Sequence, residues 1–149
     1  MSSLFAFLHH IAAFTLISAL VVECVLLREA VTVSAARKIL TTDAIFGVSA
    51  GIILVIGLIR VFYFEKGAGY YFSNGPFLVK LTLFALIGCL SIYPTKQFLS
   101  WRPATKTGQA PAIGSGTLRK LRTTIYLEMT AAVFLILCAA LMARGVGSF

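Results

Sequence analysis

The sequence predicts an all-α protein, an integral membrane four-helix bundle whose successive helices run up, down, up and down. Hydrophobic residues make up 59% of its 149 residues and charged residues only 12%, which is too apolar for a soluble domain of this length. The apolar residues fall in four long stretches that lack the alternation of barrel strands, so each stretch is predicted to be a helix. We expect a single domain that covers residues 1–149.

The four predicted helices cover residues 4–27, 40–64, 76–93 and 124–142. At about 1.5 Å per residue the first is roughly 36 Å long, which is enough to cross about 30 Å of hydrocarbon. No basic segment precedes it, so we interpret it as a retained helix and not as a signal peptide. Pro76 suits the first turn of the third helix, whereas Pro94 is expected to end or bend that helix.

The segments between the predicted helices differ in character. Glycines predict a tight turn over Glu65–Gly75, and three aromatic residues in it suit the membrane interface: Tyr70, Tyr71 and Phe72. The stretch 95–120 is rich in proline, glycine and small polar residues, so we expect a mobile cytoplasmic loop there. Trp101 is expected to anchor the start of this loop at the headgroups.

Basic residues predict the orientation of the bundle. The net charge is +8, and most basic residues lie in two of the connecting segments, namely Arg28, Arg37, Lys38, Lys96, Arg102, Lys106, Arg119, Lys120 and Arg122. By the positive-inside rule both segments face the cytoplasm, so both termini lie on the periplasmic side of a bacterial inner (cytoplasmic) membrane. This orientation accounts for most of the net charge, with a contribution from anionic lipid headgroups, so no nucleic-acid partner is expected.

Ionisable residues at apolar depth indicate where function lies, because each costs about 2.5–3.5 kcal/mol at the middle of a membrane helix. The predicted helix directions sort them into two layers. The outer layer contains His9, His10, Arg60 and Lys80. The inner layer contains Glu23, Asp43 and Glu128, of which Glu23 and Asp43 are expected to form a structural polar layer with Arg28.

Helical geometry favours His9 over His10 as the histidine that faces the bundle interior. Fourteen residues separate His9 from Glu23, so the two share one face of the helix and lie roughly 21 Å apart along its axis. If the helix is tilted, His10 would face the bundle interior in place of His9.

Structural explanations compete with a functional one for several of these residues. A long side chain such as that of Arg60 can reach the headgroups from within the membrane. The buried acids Glu128 and Asp43 would be satisfied by ion pairs with Arg28 or Arg122.

The two histidines limit the haem chemistry that one chain can support. Since they are adjacent on a helix, they point about 100° apart and cannot bind the two faces of one haem. A haem b could still take one histidine with Lys80, or a histidine from a second subunit, while Arg60 or Lys80 balances the propionates. The sequence contains no Ser-His-acid triad and no glycine-rich phosphate loop.

Short motifs around these polar residues extend over nearly the whole chain: Leu8-His9-His10-Ile11-Ala12-Ala13-Phe14, Glu23 with Arg28, Asp43 with Gly47, Lys80-Leu81 and Leu127-Glu128. Together they resemble a bacterial family of four-helix membrane proteins that is defined only as a domain of unknown function. The resemblance implies the fold and supplies no activity.

More distantly, the layout of Leu8-His9, Arg28, Lys80-Leu81 and Glu128 is similar to that of the HemJ-type protoporphyrinogen oxidase, a small haem-binding membrane enzyme of bacteria. The histidine and lysine of that family are associated with haem and activity. The resemblance therefore implies haem binding by His9 or His10, with Lys80 as the matching lysine. The chain departs from the family where Leu127-Glu128-Met129-Thr130 replaces Asn-Glu-x-Pro.

Three functions follow from these observations. The first is a membrane-embedded haem-binding redox protein related to porphyrin or haem metabolism, with Lys80 and Glu128 as candidate catalytic residues. The second is a non-enzymatic accessory or assembly subunit of a larger membrane complex. The third is a proton or metal-ion transporter in which His9 and His10 are the metal ligands. The expected partners are the lipid bilayer and either further copies of the chain or another membrane protein.

Overall fold

The computed structural model describes residues 2–64, 69, 73 and 75–144. Most of the predicted turn over Glu65–Gly75, including its interfacial Tyr70, Tyr71 and Phe72, lies outside the described residues.

Helices make up nearly all of the described chain, which contains no β-strand. The long helices are α1 (Ser2–Leu26), α2 (Val33–Ile59), α3 (Gly75–Ser100) and α5 (Ser115–Ala143), with a short helix α4 (Arg102–Lys106) after α3 and a π-helical segment (Arg60–Phe64) after α2. In the described part, four spans of 24, 31, 32 and 29 residues are long and apolar enough to cross a membrane. The predicted all-α membrane four-helix fold is confirmed.

The helices extend further at the basic end than hydropathy predicts. The second helix begins at Val33 and not at residue 40, and the fourth long helix begins at Ser115 and not at residue 124. Thr32 caps the start of α2, where its side-chain oxygen accepts a hydrogen bond of 3.2 Å from the Ala35 backbone N–H. Apolar runs report only the part of a helix at membrane depth, so polar turns that project beyond the hydrocarbon are missed.

The third helix was predicted to end or bend at Pro94 and to be followed by a mobile loop over residues 95–120. The predicted end at Pro94 is wrong, and the predicted loop is too long. Helix α3 continues through Pro94 to Ser100, and α4 and the start of α5 occupy much of the remainder. Pro94 is buried, and the next residue, Thr95, donates a hydrogen bond to Asp43 of α2. Proline is tolerated inside membrane helices where neighbouring helices hold the chain in place, as they do here.

Trp101 has a different role from the expected headgroup anchor. Its side chain is only 5% exposed, and its ring packs against the fully buried Phe98 with the ring centroids 5.1 Å apart. The indole is therefore part of the bundle core at the turn between α3 and α4.

The bundle is built from two closely packed helix pairs. Helix α1 packs mainly against α2, and α3 packs mainly against α5, while α1 also contacts α5 and α2 also contacts α3. The most deeply buried apolar side chains lie between these helices and include Leu20, Leu27, Ile39, Phe98, Leu121 and Ile125. Contacts described below join the end of α1 to the start of α5, so these two helices run in opposite directions.

Two arginines fasten the basic end of the bundle. The Arg122 guanidinium donates from Nε to the Leu27 carbonyl (2.6 Å) and from Nη2 to the Arg28 carbonyl (2.9 Å). The Arg37 guanidinium donates from Nη2 to the Thr105 carbonyl (2.8 Å). The last carbonyls of a helix have no partners within the helix, so Arg122 satisfies two acceptors just beyond α1 and holds them against α5.

Replacing Arg122 by alanine is expected to lower the free energy of unfolding by about 1.5–3 kcal/mol, because hydrogen bonds from a charged donor are lost. The fall in thermal stability of the detergent-purified protein measures this effect. Arg119→Ala is the matched control, since Arg119 lies on the same helix with an exposed side chain. Equal losses of stability in the two variants would contradict the role given to Arg122.

Candidate functional site

A cleft with an empty volume of about 760 Å³ lies at the end of the bundle opposite the arginine fastenings. Its walls come from the start of α1, the end of α2 with the π-helical segment, the start of α3 and the end of α5. Only three of its lining residues carry polar side chains, namely His9, Arg60 and Lys80, and the others are apolar side chains and Gly57. The structure thus brings together three of the four residues of the predicted outer layer. We call this feature the His9 cleft.

The His9 ring lies against α2. A Cβ atom added at Gly57 would be 3.6 Å from His9 Cε1, an ordinary van der Waals distance, so the ring lies directly beside α2 at this residue. His9 Nδ1 is buried and has no hydrogen-bond partner among the described residues. A buried ring nitrogen without a partner is costly and marks a position that a ligand could satisfy.

His10 lies outside the cleft. Its side chain is exposed, and its Nδ1 donates to the Ala6 carbonyl at 2.6 Å within the same helix. The two imidazole rings are 6.2 Å apart between centroids and nearly perpendicular to each other. His9 is therefore the histidine that faces the bundle interior, as the shared face with Glu23 indicated.

Arg60 and Lys80 bring positive charge into the cleft. Both side chains are half-buried, and both charges act on the His9 imidazole. The Lys80 ammonium lies 5.5 Å from the centroid of the Phe77 ring, within the range of a cation–π contact. An apolar cavity that carries two cations is suited to a ligand with a hydrophobic body and anionic groups.

The second polar site is a group of three acids from three helices. Glu23 of α1, Asp43 of α2 and Glu128 of α5 are 2%, 8% and 1% exposed, and their charges act on one another. We call these residues the buried acid cluster. Thr95 of α3 donates from Oγ1 to Asp43 Oδ1 at 2.7 Å, so all four long helices contribute to this part of the bundle.

The expected ion pairs between these acids and arginine are not formed. Arg28 is exposed, and the Arg122 guanidinium donates to the backbone carbonyls of Leu27 and Arg28. Asp43 has the Thr95 hydroxyl as its donor, whereas Glu23 Oε1 and Glu128 Oε1 are buried without a partner among the described residues. Arg28 is thus separate from the polar layer that it was expected to share with Glu23 and Asp43, because the chain turns outward after Leu27.

The two sites lie at different depths of the bundle. His9 and Glu23 are fourteen residues apart on α1, which corresponds to roughly 21 Å along the axis. The candidate catalytic residues Lys80 and Glu128 are accordingly not neighbours: Lys80 lines the His9 cleft, and Glu128 belongs to the buried acid cluster.

Sequence reasoning missed two residues of these sites. Thr95 was assigned to a loop because it follows Pro94. Its hydroxyl lies within one turn of the predicted third span, and this position was a signal that it could donate to Asp43. Gly57 received no role because its position beside the His9 ring depends on how two helices pack.

Comparisons with known proteins place the chain in a broader context. The family model described as "Predicted membrane protein (DUF2214)" matches residues 1–147. No curated protein and no solved structure matches the chain. The similarity to the HemJ-type oxidase thus stays a prediction from short motifs.

Replacing Thr95 by valine is expected to destabilise the fold by about 1–3 kcal/mol, because the buried Asp43 carboxyl loses its donor. The change keeps the side-chain shape, and thermal unfolding in detergent measures its effect. Thr130→Val is the matched control, since Thr130 is exposed and bonds only to the Tyr126 carbonyl of its own helix. If both variants unfold at the same temperature as the wild type, the Thr95 hydroxyl does not stabilise the buried acid cluster.

Proposed function

The chain belongs to the family of predicted membrane proteins DUF2214, and on that premise we propose that it is a haem-binding redox protein of the bilayer. The proposed site is the His9 cleft, and the proposed cofactor is haem b. One observation carries the proposal: an imidazole with an unsatisfied buried nitrogen lines an apolar cleft that also contains two cations.

The residues of the cleft fit the chemistry of haem. Haem combines a flat apolar macrocycle with two carboxylates and an iron that binds imidazole. Aromatic and aliphatic side chains such as Phe77 and Phe84 suit the macrocycle, and Arg60 and Lys80 suit the carboxylates through charge-assisted hydrogen bonds. When bound, haem supplies one-electron redox chemistry.

The residues at the His9 cleft would have separate roles in haem binding. His9 would bind the haem iron through its imidazole, and its ring lies beside Gly57 of α2. Arg60 would pair with the propionates, and Lys80 would either pair with them as well or, as a neutral amine, bind the iron opposite His9. The apolar walls and the surrounding lipid keep water away from the iron. His10 stays outside, because its ring is exposed and bonded within α1.

The other two candidate functions gain no specific support. An apolar groove of about 1110 Å³ between α1 and α2 could receive another membrane protein, but lipid tails would cover the same surface equally well. For metal-ion transport, the described residues contain no group of three His, Cys, Asp or Glu side chains that could hold a metal ion.

We propose that both termini lie on the periplasmic side of a bacterial inner membrane. The basic residues support this orientation, because Arg37 and Arg122 mark the end of the bundle at which most of them gather. The His9 cleft then opens in the periplasmic half of the membrane, and the buried acid cluster lies toward the cytoplasm.

Haem binding is tested by the absorption spectrum of protein purified after expression with supplied haem. We expect a Soret band in the wild type that His9→Ala abolishes or shifts strongly, since the axial imidazole is lost. His10→Ala is the matched control and should leave the band unchanged, because that ring lies outside the cleft.

Two outcomes contradict this function. One is a wild-type protein that is folded, by circular dichroism and size exclusion, and has no Soret band after haem supply. The other is a band that His9→Ala leaves intact and His10→Ala removes, which would place the haem on the side of α1 that carries His10.

Orientation is tested by fusing reporters to the C-terminus. A periplasmic C-terminus should give an active alkaline phosphatase fusion and a dark green-fluorescent-protein fusion, because the first folds only outside the cytoplasm and the second, when exported unfolded, does not fluoresce. The reverse pattern would invert the assignment of both ends of the bundle.

A further inference from the structure

The buried acid cluster is a second site that the proposed haem chemistry does not use. Glu23, Asp43 and Glu128 come from three different helices, and all three are buried in the bundle. Their side chains are at least nine-tenths buried, so neither lipid headgroups nor bulk water provides their partners.

The two glutamates differ from Asp43 in their surroundings. Asp43 accepts a hydrogen bond from Thr95, whereas Oε1 of Glu23 and Oε1 of Glu128 have no partner among the described residues. The two arginines expected as partners do not pair with these acids: Arg122 donates to two backbone carbonyls, and Arg28 is exposed. The groups whose charges act on Glu23 are Asp43 and Glu128, and Asp43 acts on Glu128.

We propose that Glu23 and Glu128 form a proton-binding site in the membrane interior, in which both carboxyls carry their protons as neutral acids and Asp43 keeps the Thr95 hydroxyl as its donor. Three carboxylates that act on one another in an apolar interior repel, and no cation of the described residues acts on the two glutamates to balance them. A proton bound to each glutamate removes that repulsion at the site itself.

The geometry selects a proton over a metal ion as the ligand. A metal ion needs several oxygen donors around one point, and the described side chains form no such group. A proton needs a single oxygen, and each glutamate presents one that is buried and unpaired. The site does not depend on haem, since the His9 cleft lies roughly 21 Å away along α1.

Infrared spectroscopy tests the proposal directly. A neutral carboxylic acid has a C=O stretching band that is separate from the bands of an ionised carboxylate and moves when the proton is exchanged for deuterium. We expect this band at neutral pH in the wild-type protein, purified in a maltoside detergent that has no carbonyl group of its own. Wild-type protein without the band overturns the proposal, whatever the variants do.

Substitutions assign the band to residues. Glu23→Gln and Glu128→Gln should each remove part of it, and the double variant should remove it completely. Glu29→Gln is the matched control and should leave the band unchanged, because Glu29 is exposed in the turn between α1 and α2. A band that survives in the folded double variant, or one that Glu29→Gln removes, overturns the assignment to Glu23 and Glu128.

Discussion

The hydrocarbon of a bilayer offers no hydrogen bonds. Every polar group that enters it must therefore find a partner inside the protein or remain unsatisfied, which costs free energy. Long helices meet this demand for the backbone. At the basic end, Arg122 meets it for two carbonyls just beyond α1, and Arg37 meets it for the Thr105 carbonyl in the last turn of α4, which joins the end of α1 to α5 and α2 to α4. The same constraint makes the few unsatisfied side-chain atoms informative, because a chain retains them at a cost.

Those unsatisfied atoms fall into two sites of opposite chemical character. The His9 cleft combines an imidazole with two cations and suits an anionic, largely apolar ligand. The buried acid cluster combines carboxyls without balancing cations and suits protons. Because more than half of the 25-residue helix α1 separates His9 from Glu23, each site can be removed by substitution without direct damage to the other. A redox centre and a proton-binding site in one small bundle would place electrons and protons on separate parts of the same helices.

Part of each site could be predicted from the sequence. Fixed spacing on α1 assigned His9 and Glu23 to one face, and the structure agrees because a straight helix preserves that relation over fourteen residues. The pairing of the acids with arginine was wrong, since Arg122 bonds to backbone carbonyls that no sequence pattern reveals as available. Pro94 was misinterpreted for a similar reason: whether a helix survives a proline depends on the neighbours that hold it.

The amino-acid sequence by itself determined that this protein is a membrane bundle of four apolar helices, because the length and hydropathy of each span are properties of consecutive residues. It also determined which rare polar residues the membrane must accommodate. Only the tertiary structure decided which of them meet. The contacts of His9 with Gly57 and of Asp43 with Thr95 join residues of different helices, so they depend on rotations and offsets between helices that local patterns do not encode.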